Sequence, residues 1–209
     1  MVEQVKKELM QHGFRLSDDK VHGLVVYLEL LLKWNRVMNL VGRNDWRVVL
    51  NDLVVDSFFL DSFLSGIFQA KDDATMFDLG AGAGLPGIPL RLVWKYGTFY
   101  LVESRTKRAV FMNQAIVAMN LENTFVLNCR VQDVSPELLP ASLVISRAFM
   151  PWPQLLPLAE AMLASNGVLV IMSSRDYQGQ DLPGFHLMDV MQYQANRKTR
   201  YFWALCSNI

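Results

Sequence analysis

The segment DLGAGAGLPGIP at residues 78–89 limits what this chain can become more than any other stretch of it. Glycine recurs at positions 80, 82, 84 and 87, and Pro86 and Pro89 crowd the end of the run. A regular element is a poor home for so many glycines, because each brings backbone entropy that a helix or strand must remove. The segment is therefore a turn, and the short apolar run over residues 76–79 reads as a buried strand leading into it. A glycine-rich turn between a buried strand and a helix belongs at the carboxyl edge of a parallel sheet, where open α/β folds bind their ligands. Glycines there accept positive φ and let a ligand come close to the main chain.

The rest of the chain agrees with an α/β reading. Strands are predicted at residues 76–79, 99–103, 124–128, 143–146 and 168–172, with helices at 88–94, 106–120 and 154–164 between them. Residues 185–193 and 201–207 read as two closing strands, with Arg197 and Lys198 at their turn. This alternation predicts a mostly parallel seven-stranded sheet with helices on both faces and an antiparallel final hairpin. Before residue 73 the periodicity is helical. Helices are predicted over residues 2–12, over 17–38 behind a Ser17 cap with Asp18 and Asp19 in the first turn, and over 46–64 behind Asp45. We expect a helical cap over residues 1–72 and an α/β domain over 73–209, with Trp34 and Asn35 seating one on the other.

Three features of the glycine turn bear on its ligand. It lacks the Gly-Lys-Ser/Thr ending with which a P-loop holds triphosphate. Its spacing is G-x-G-x-G rather than G-x-G-x-x-G, and its prolines crowd the helix start that a pyrophosphate would need. Glu103 ends the second strand, where a carboxylate can accept hydrogen bonds from both hydroxyls of a ribose. The combination suits S-adenosylmethionine, whose adenosine carries no phosphate; the alternative is a tight turn without a ligand.

Charge and cysteine usage narrow the classes further. Lys and Arg total 20, as do Asp and Glu, so recognition of nucleic acid would have to come from a local basic patch. Two short basic clusters exist, Arg105-Lys107-Arg108 and Arg197-Lys198-Arg200, and each by itself reads as a solvated face. Glu3, Lys6, Lys7 and Glu8 interrupt the N-terminus, so no signal peptide is expected, and no apolar run is long enough to cross a bilayer. A cytoplasmic protein without membrane attachment is expected. Cys129 and Cys206 lack metal-ligand spacing and read as buried strand cysteines. His12, His22 and His186 are scattered, so neither a metal site nor a catalytic dyad is expected.

Residues 77–89, FDLGAGAGLPGIP, closely resemble the signature of the 16S ribosomal RNA guanine-N7 methyltransferases, the RsmG or GidB family. Residues 31–40 (LLKWNRVMNL), Asp56-Ser57, residues 101–108 (LVESRTKR) and residues 144–149 (VISRAF) resemble further blocks of that family in the same order. The resemblance covers nearly the whole chain. It implies a Rossmann-like class I methyltransferase domain under a helical cap, S-adenosylmethionine as cofactor, and methylation at N7 of a guanine in a decoding-region loop of small-subunit RNA. By motif position it implies cofactor contacts at Gly80 and Leu85, and at Val131 and Gln132 in the loop after the third strand. Gly82, Gly84 and Glu103 complete the expected cofactor set, with Arg147 at the front of the site.

The chain departs from the family pattern in three places. Gln132 stands where the family usually has an acid, Asp52-Leu53 where it often has Arg-His, and Met172-Ser173-Ser174-Arg175 where it often has Lys-Gly. Two positions able to place positive charge near RNA are thus altered, and Arg175 is a candidate substitute.

Guanine N7 offers a lone pair and carries no proton, so methyl transfer to it needs alignment and charge tolerance rather than a general base. Residues 146–149 (SRAF) occupy the place where an Asn-Pro-Pro-Tyr loop would hold an exocyclic amine. Phe149 can stack on a base or pack beneath the loop, and Arg147 can meet a phosphate, a base edge or the cofactor carboxylate. Pro151-Trp152-Pro153 is a rigid loop beside them. The expected partner is 16S ribosomal RNA or the small subunit, with the chain acting as a monomer. Two other readings stay open: a methyltransferase of the same fold acting on another RNA, a small molecule or a protein, and a noncatalytic assembly factor that binds ribosomal RNA.

Overall fold

A computed structural model describes residues 1–69 and 71–208. The strands are β1 (Thr75–Leu79), β2 (Thr98–Val102), β3 (Thr124–Leu127), β4 (Ala141–Arg147), β5 (Leu163–Ser173), β6 (Phe185–Ala195) and β7 (Lys198–Ser207). They form one sheet in the order β3-β2-β1-β4-β5-β7-β6. The first five strands run parallel, and β7 and β6 close the sheet antiparallel. Winding reverses at β1, whose neighbours are β2 and β4, so the loops leaving β1 and β4 open a crevice between them.

Period-two alternation divides the core into two layers. Met76, Phe99, Leu101, Leu143, Ile145, Phe202 and Ala204 face one side. There they meet helices α1 (Val2–Gln11), α2 (Asp18–Met38), α3 (Trp46–Val49), α4 (Val55–Ile67), α5 (Gly87–Arg91) and α6 (Thr106–Ala118). Phe77, Leu79, Val144, Leu169, Trp203 and Leu205 face the other side and meet α7 (Trp152–Glu160). Strands covered on both faces explain the continuous apolar runs of the sequence.

Four local expectations are corrected. The helix predicted over 46–64 holds a π turn, Leu50–Val54, between α3 and α4; a hydrophobic period cannot reveal a single wider turn. The helix predicted over 154–164 ends at Glu160, and β5 starts at Leu163, because Leu163 pairs with Ala141 and draws the chain into the sheet early. Ser17 precedes α2 in extended backbone, but its hydroxyl makes no capping bond. Instead Asp18 pairs with Lys6 at 2.9 Å and ties α2 to α1. Asn35 does not seat the cap; it folds the following loop by bonding the Arg43 carbonyl, Asn44 and the Val41 N–H. Trp34 does seat it, donating from Nε1 to Gln114 of α6 at 3.0 Å.

Two further bonds carry the cap to the glycine turn. The Tyr27 hydroxyl on α2 donates to the Ala83 carbonyl at 2.7 Å, and the Ser57 hydroxyl on α4 donates to the Pro86 carbonyl at 3.0 Å. Both contacts are buried; the Pro86 carbonyl also accepts the Leu90 N–H at 3.1 Å, whereas among the described residues the Ala83 carbonyl has Tyr27 as its donor. Tyr27→Phe should therefore cost about 1–3 kcal/mol in urea unfolding, the penalty of an orphaned buried carbonyl. It should also weaken cofactor binding severalfold, because the turn loses its support. An unchanged unfolding midpoint would show that the hydroxyl is idle.

Candidate active site

The register of the sheet assembles the site. Leu79 pairs with Val102 on one side and with Ser146 on the other. Gly80, Glu103 and Arg147 therefore emerge abreast from three neighbouring strand ends. Glu103 joins the first two directly: its Oε2 accepts the Gly82 N–H at 3.1 Å and its Oε1 accepts the Arg105 N–H at 2.8 Å. Asp78 holds the far end of the turn, accepting the Gly87 N–H at the start of α5 at 3.0 Å. That helix start is thereby taken, in keeping with a ligand that has no pyrophosphate. Burial pushes the Asp78 carboxyl up to about 7, although the Gly87 bond and the nearby Arg147 charge pull it down.

Gly80 and Gly84 need to be glycine for different neighbours. Gly80 has φ +70°, and a Cβ there would overlap the ring of Phe149. Gly84 has φ +73°, and its Cβ would overlap Ile88. Phe149 thus packs directly on the turn, half-buried beside the apolar layer that holds α7.

A first cavity of about 370 Å³ opens between these strand ends. Gly80, Glu103, Val131, Gln132 and Phe149 line it, together with Cys129. Cys129 is half-buried in the loop after β3 rather than in a strand, and burial, with help from Asp133, pushes its thiol up. Asn128 donates to the Glu103 carbonyl at 2.9 Å and pins that loop to the end of β2. Of the expected cofactor residues, Gly82, Gly84 and Leu85 lie behind the wall of this cavity, as parts of the turn itself. A carboxylate has about four acceptor positions. Glu103 uses two on backbone N–H groups and keeps capacity for a pair of ligand hydroxyls. A backbone bare of side chains, an apolar Val131, the Gln132 amide and a carboxylate with spare acceptors fit an adenosine moiety.

A second cavity of about 470 Å³ lies on the other side of β4's end. Arg147 lines this one and not the first. Its guanidinium pairs with Asp56 at 2.9 Å and donates to the Leu53 carbonyl of the π turn at 2.9 Å. Arg200 of β7 binds the same Oδ2 of Asp56. Tyr193 lies beside them, its hydroxyl pushed up by burial and by the Asp56 charge. Ala148 lines both cavities and adopts a left-handed φ of +50°. Strained non-glycine backbone of this kind persists where surrounding structure holds it, often at working sites.

Asp52 faces the same region from the π turn. It accepts from Asn196 and lies 3.5 Å from Lys198 and 3.8 Å from Arg43. Burial pushes its carboxyl up, but the Asn196 bond and the Lys198 charge outweigh this and hold it below the ordinary range.

Sequence reasoning missed the second cavity's charged wall. The cluster around Lys198 and Arg200 read as a solvated face because its acidic partners lie about 144 residues away in sequence. The alternation of Lys198 and Arg200, two residues apart on one strand face, was the available signal. The histidines take no part: His12 bonds Asn51, His22 bonds the Asp18 carbonyl and His186 bonds Asn208. Arg175 is exposed, held by the Ser173 hydroxyl at the edge of the second cavity.

Residues 20–182 match the family described as GidB, rRNA small subunit methyltransferase G. The ribosomal RNA small subunit methyltransferase G of Oleidesulfovibrio alaskensis is 40% identical over 98% of this chain and 93% of its own length. That of Nitratidesulfovibrio vulgaris (strain DP4) is 41% identical over 98% of this chain and 95% of its own. Among solved structures, the O-methyltransferase from Bacillus cereus in complex with SAH has a similar fold, with a TM-score of 0.64. It is 15% identical, over 99% of this chain and 100% of that one.

The two glycines nearest Glu103 should respond differently to substitution. Gly80→Ala drives a methyl into Phe149 and should lower affinity for S-adenosylmethionine at least tenfold by calorimetry. At Gly82 the new Cβ would lie 3.5 Å from Arg108, an ordinary contact, so Gly82→Ala bears only the strain of its φ of +59°, about 1–2 kcal/mol. Equal losses in the two variants would contradict the placement of Phe149.

Glu103→Gln keeps the shape but offers one oxygen where two N–H groups must be met. We expect about 1–3 kcal/mol of lost stability and at least a tenfold loss of cofactor affinity. A loss of stability with affinity within twofold of wild type would confine Glu103 to bracing the turn.

Proposed function

The chain belongs to the rRNA small subunit methyltransferase G family, and from that premise we propose that it methylates N7 of a guanine in small-subunit ribosomal RNA. The cofactor is S-adenosylmethionine, held in the first cavity, and the target base enters the second. The observation that carries this reading is Ala148, which borders both cavities, with Phe149 on the side of the first and Arg147 on that of the second.

When bound, S-adenosylmethionine supplies a methyl group on a positively charged sulfur. The protein's residues supply placement. Glu103 accepts the ribose hydroxyls, Val131 and Gln132 lie along the adenine, and Gly80 lets the cofactor approach the main chain. Phe149 fixes the depth of the pocket by packing on Gly80. Arg147, clamped by Asp56 and the Leu53 carbonyl, holds the target nucleotide at the mouth. Guanine N7 needs no proton removed, so these groups have only to align the reactants and keep water out. Gly82, Gly84 and Leu85 act through the shape of the turn. Residues 1–72 serve as the cap that braces that turn, and residues 73–209 as the methyltransferase unit.

The partner is ribosomal RNA, in the small subunit or its precursor, and we propose a monomer working in the cytoplasm, where that RNA is made. Among the described residues no helix is long and apolar enough to cross a membrane, and no group of three or more His, Cys, Asp or Glu is placed to hold a metal.

Deleting the gene should remove one 7-methylguanine from small-subunit RNA, and wild-type protein with S-adenosylmethionine should restore it in isolated subunits. Turnover in single-turnover assays should be nearly flat from about pH 6.5 to 9, because no general base titrates. An inflection near 7 that vanishes in Asp78→Asn belongs to the seat of the glycine turn. One that survives in that variant reveals a base and overturns the base-free chemistry.

A further inference from the structure

The second cavity carries a charge imbalance that neither the cofactor nor the methyl transfer accounts for. Its lining includes one carboxylate, Asp56, and three cations, Arg147, Lys198 and Arg200. Asp56 is 1% exposed, and its Oδ2 receives both guanidinium groups. One carboxylate neutralises one guanidinium, so the second keeps its positive charge. Lys198 leans on Asp52, but Asp52 is shared with Arg43. Across the two carboxylates there are four cations. In a chain of zero formal net charge, this concentration of positive charge is local and built.

The two guanidinium groups are also prepared for another acceptor. The Arg147 and Arg200 side chains are only 18% and 16% exposed, so water solvates them poorly. Among the described residues, neither Nε nor Nη2 of Arg200 has a hydrogen-bond partner. Anchoring on a buried carboxylate fixes the fork, so little side-chain freedom remains to be lost on binding. A planar fork beside a second one, with an ammonium two residues along the same strand face, matches the tetrahedral oxygens of a phosphate. Beside Ser146, Ser173, Ser174 and Tyr193, the wall carries an apolar part with Met150, Trp152 and Met172 that suits a base. A phosphate at one end and a base at the other describe one nucleotide.

We propose that Arg147, Arg200 and Lys198 form a clamp for an RNA phosphodiester next to the methylated base, with Asp56 as its buried anchor. The proposal rests on the functional reading above. It makes the C-terminal hairpin, β6–β7, part of substrate recognition, although the glycine turn that holds the cofactor lies at the far side of β4.

The test uses the full-length protein with isolated small subunits and S-adenosylmethionine. Arg200→Gln leaves Asp56 paired with Arg147, and Lys198→Ala changes an exposed side chain, so both variants should fold and bind the cofactor within twofold of wild type. Arg200→Gln should raise KM for subunits at least tenfold with kcat within about twofold. In each variant the slope of log KM against log salt should fall by about 0.7–0.9, the release of counterions from one phosphate contact. Unchanged slopes in both variants overturn the clamp. Inorganic phosphate supplies the second arm, read by tryptophan fluorescence of the cofactor-loaded protein at constant ionic strength. Phosphate should bind the wild type in competition with subunits and fail to bind Arg200→Gln. Phosphate binding that is lost in the variant while the salt slope stays unchanged marks a free-anion site and overturns the RNA assignment. If the wild type transfers no methyl group to small-subunit RNA, the functional reading fails, and the phosphate arm alone then decides whether the clamp exists.

Discussion

Between β1 and α5 the chain has almost no regular structure, yet every polar group of that turn must be met by a partner if it is to be buried. Four bonds do this. Asp78 takes the Gly87 N–H, Glu103 takes the Gly82 N–H, Tyr27 gives to Ala83, and Ser57 gives to Pro86. Two of these partners come from the sheet and two from the helical cap. The first cavity opens beside this turn, where Gly80 remains bare. With bare glycines the turn holds itself only through its backbone, by the Gly84 and Leu85 N–H groups on the Ala81 carbonyl. The cap adds its contacts from outside, which gives it a physical reason to be packed into the same apolar layer as the sheet.

The end of β4 divides the labour. Residues two apart on a regular strand face the same side, but β4 ends at Arg147 and Ala148 takes a left-handed conformation, so Arg147 lines one cavity and Phe149 the other. Phe149 closes on Gly80 and lines the first cavity. Arg147 turns toward the π turn and the terminal hairpin. The wider turn at Leu50–Val54 sits at that junction, with Asp52 inside it and Asp56 just beyond. Both carboxylates face residues of the β6–β7 hairpin. Three segments that are remote in sequence thus share one electrostatic network.

That network explains where the sequence reading fell short. Asp52 stands where the family resemblance leads one to expect a basic residue, and from sequence this looks like a lost positive charge. In the fold, Asp52 gathers Asn196 and Lys198 toward the cavity. The positive charge arrives on the hairpin instead. Charge complementarity between residues about 144 positions apart leaves no local pattern, so no reading of spacing could pair them. The same limit applies to Arg147. Its place after a buried strand marked it as a working residue, but which of two cavities it serves depends on a carboxylate contributed by the cap.

The sequence by itself determined the sheet and the turn. Short apolar runs between glycines and prolines read as strands buried on both faces, and a glycine-dense turn after such a strand lies at the sheet's carboxyl edge. The placement of Gly80 and Glu103 at neighbouring strand ends was legible for the same reason: it follows from backbone conformation and from distance along the chain, which are local quantities. The tertiary structure alone decided how the turn is braced, where the second cavity lies and which cations line it. Those outcomes depend on sheet order and on the docking of helices. Both are fixed by burying apolar faces and satisfying buried polar groups across long sequence separations, and neither leaves a periodic signal in the chain.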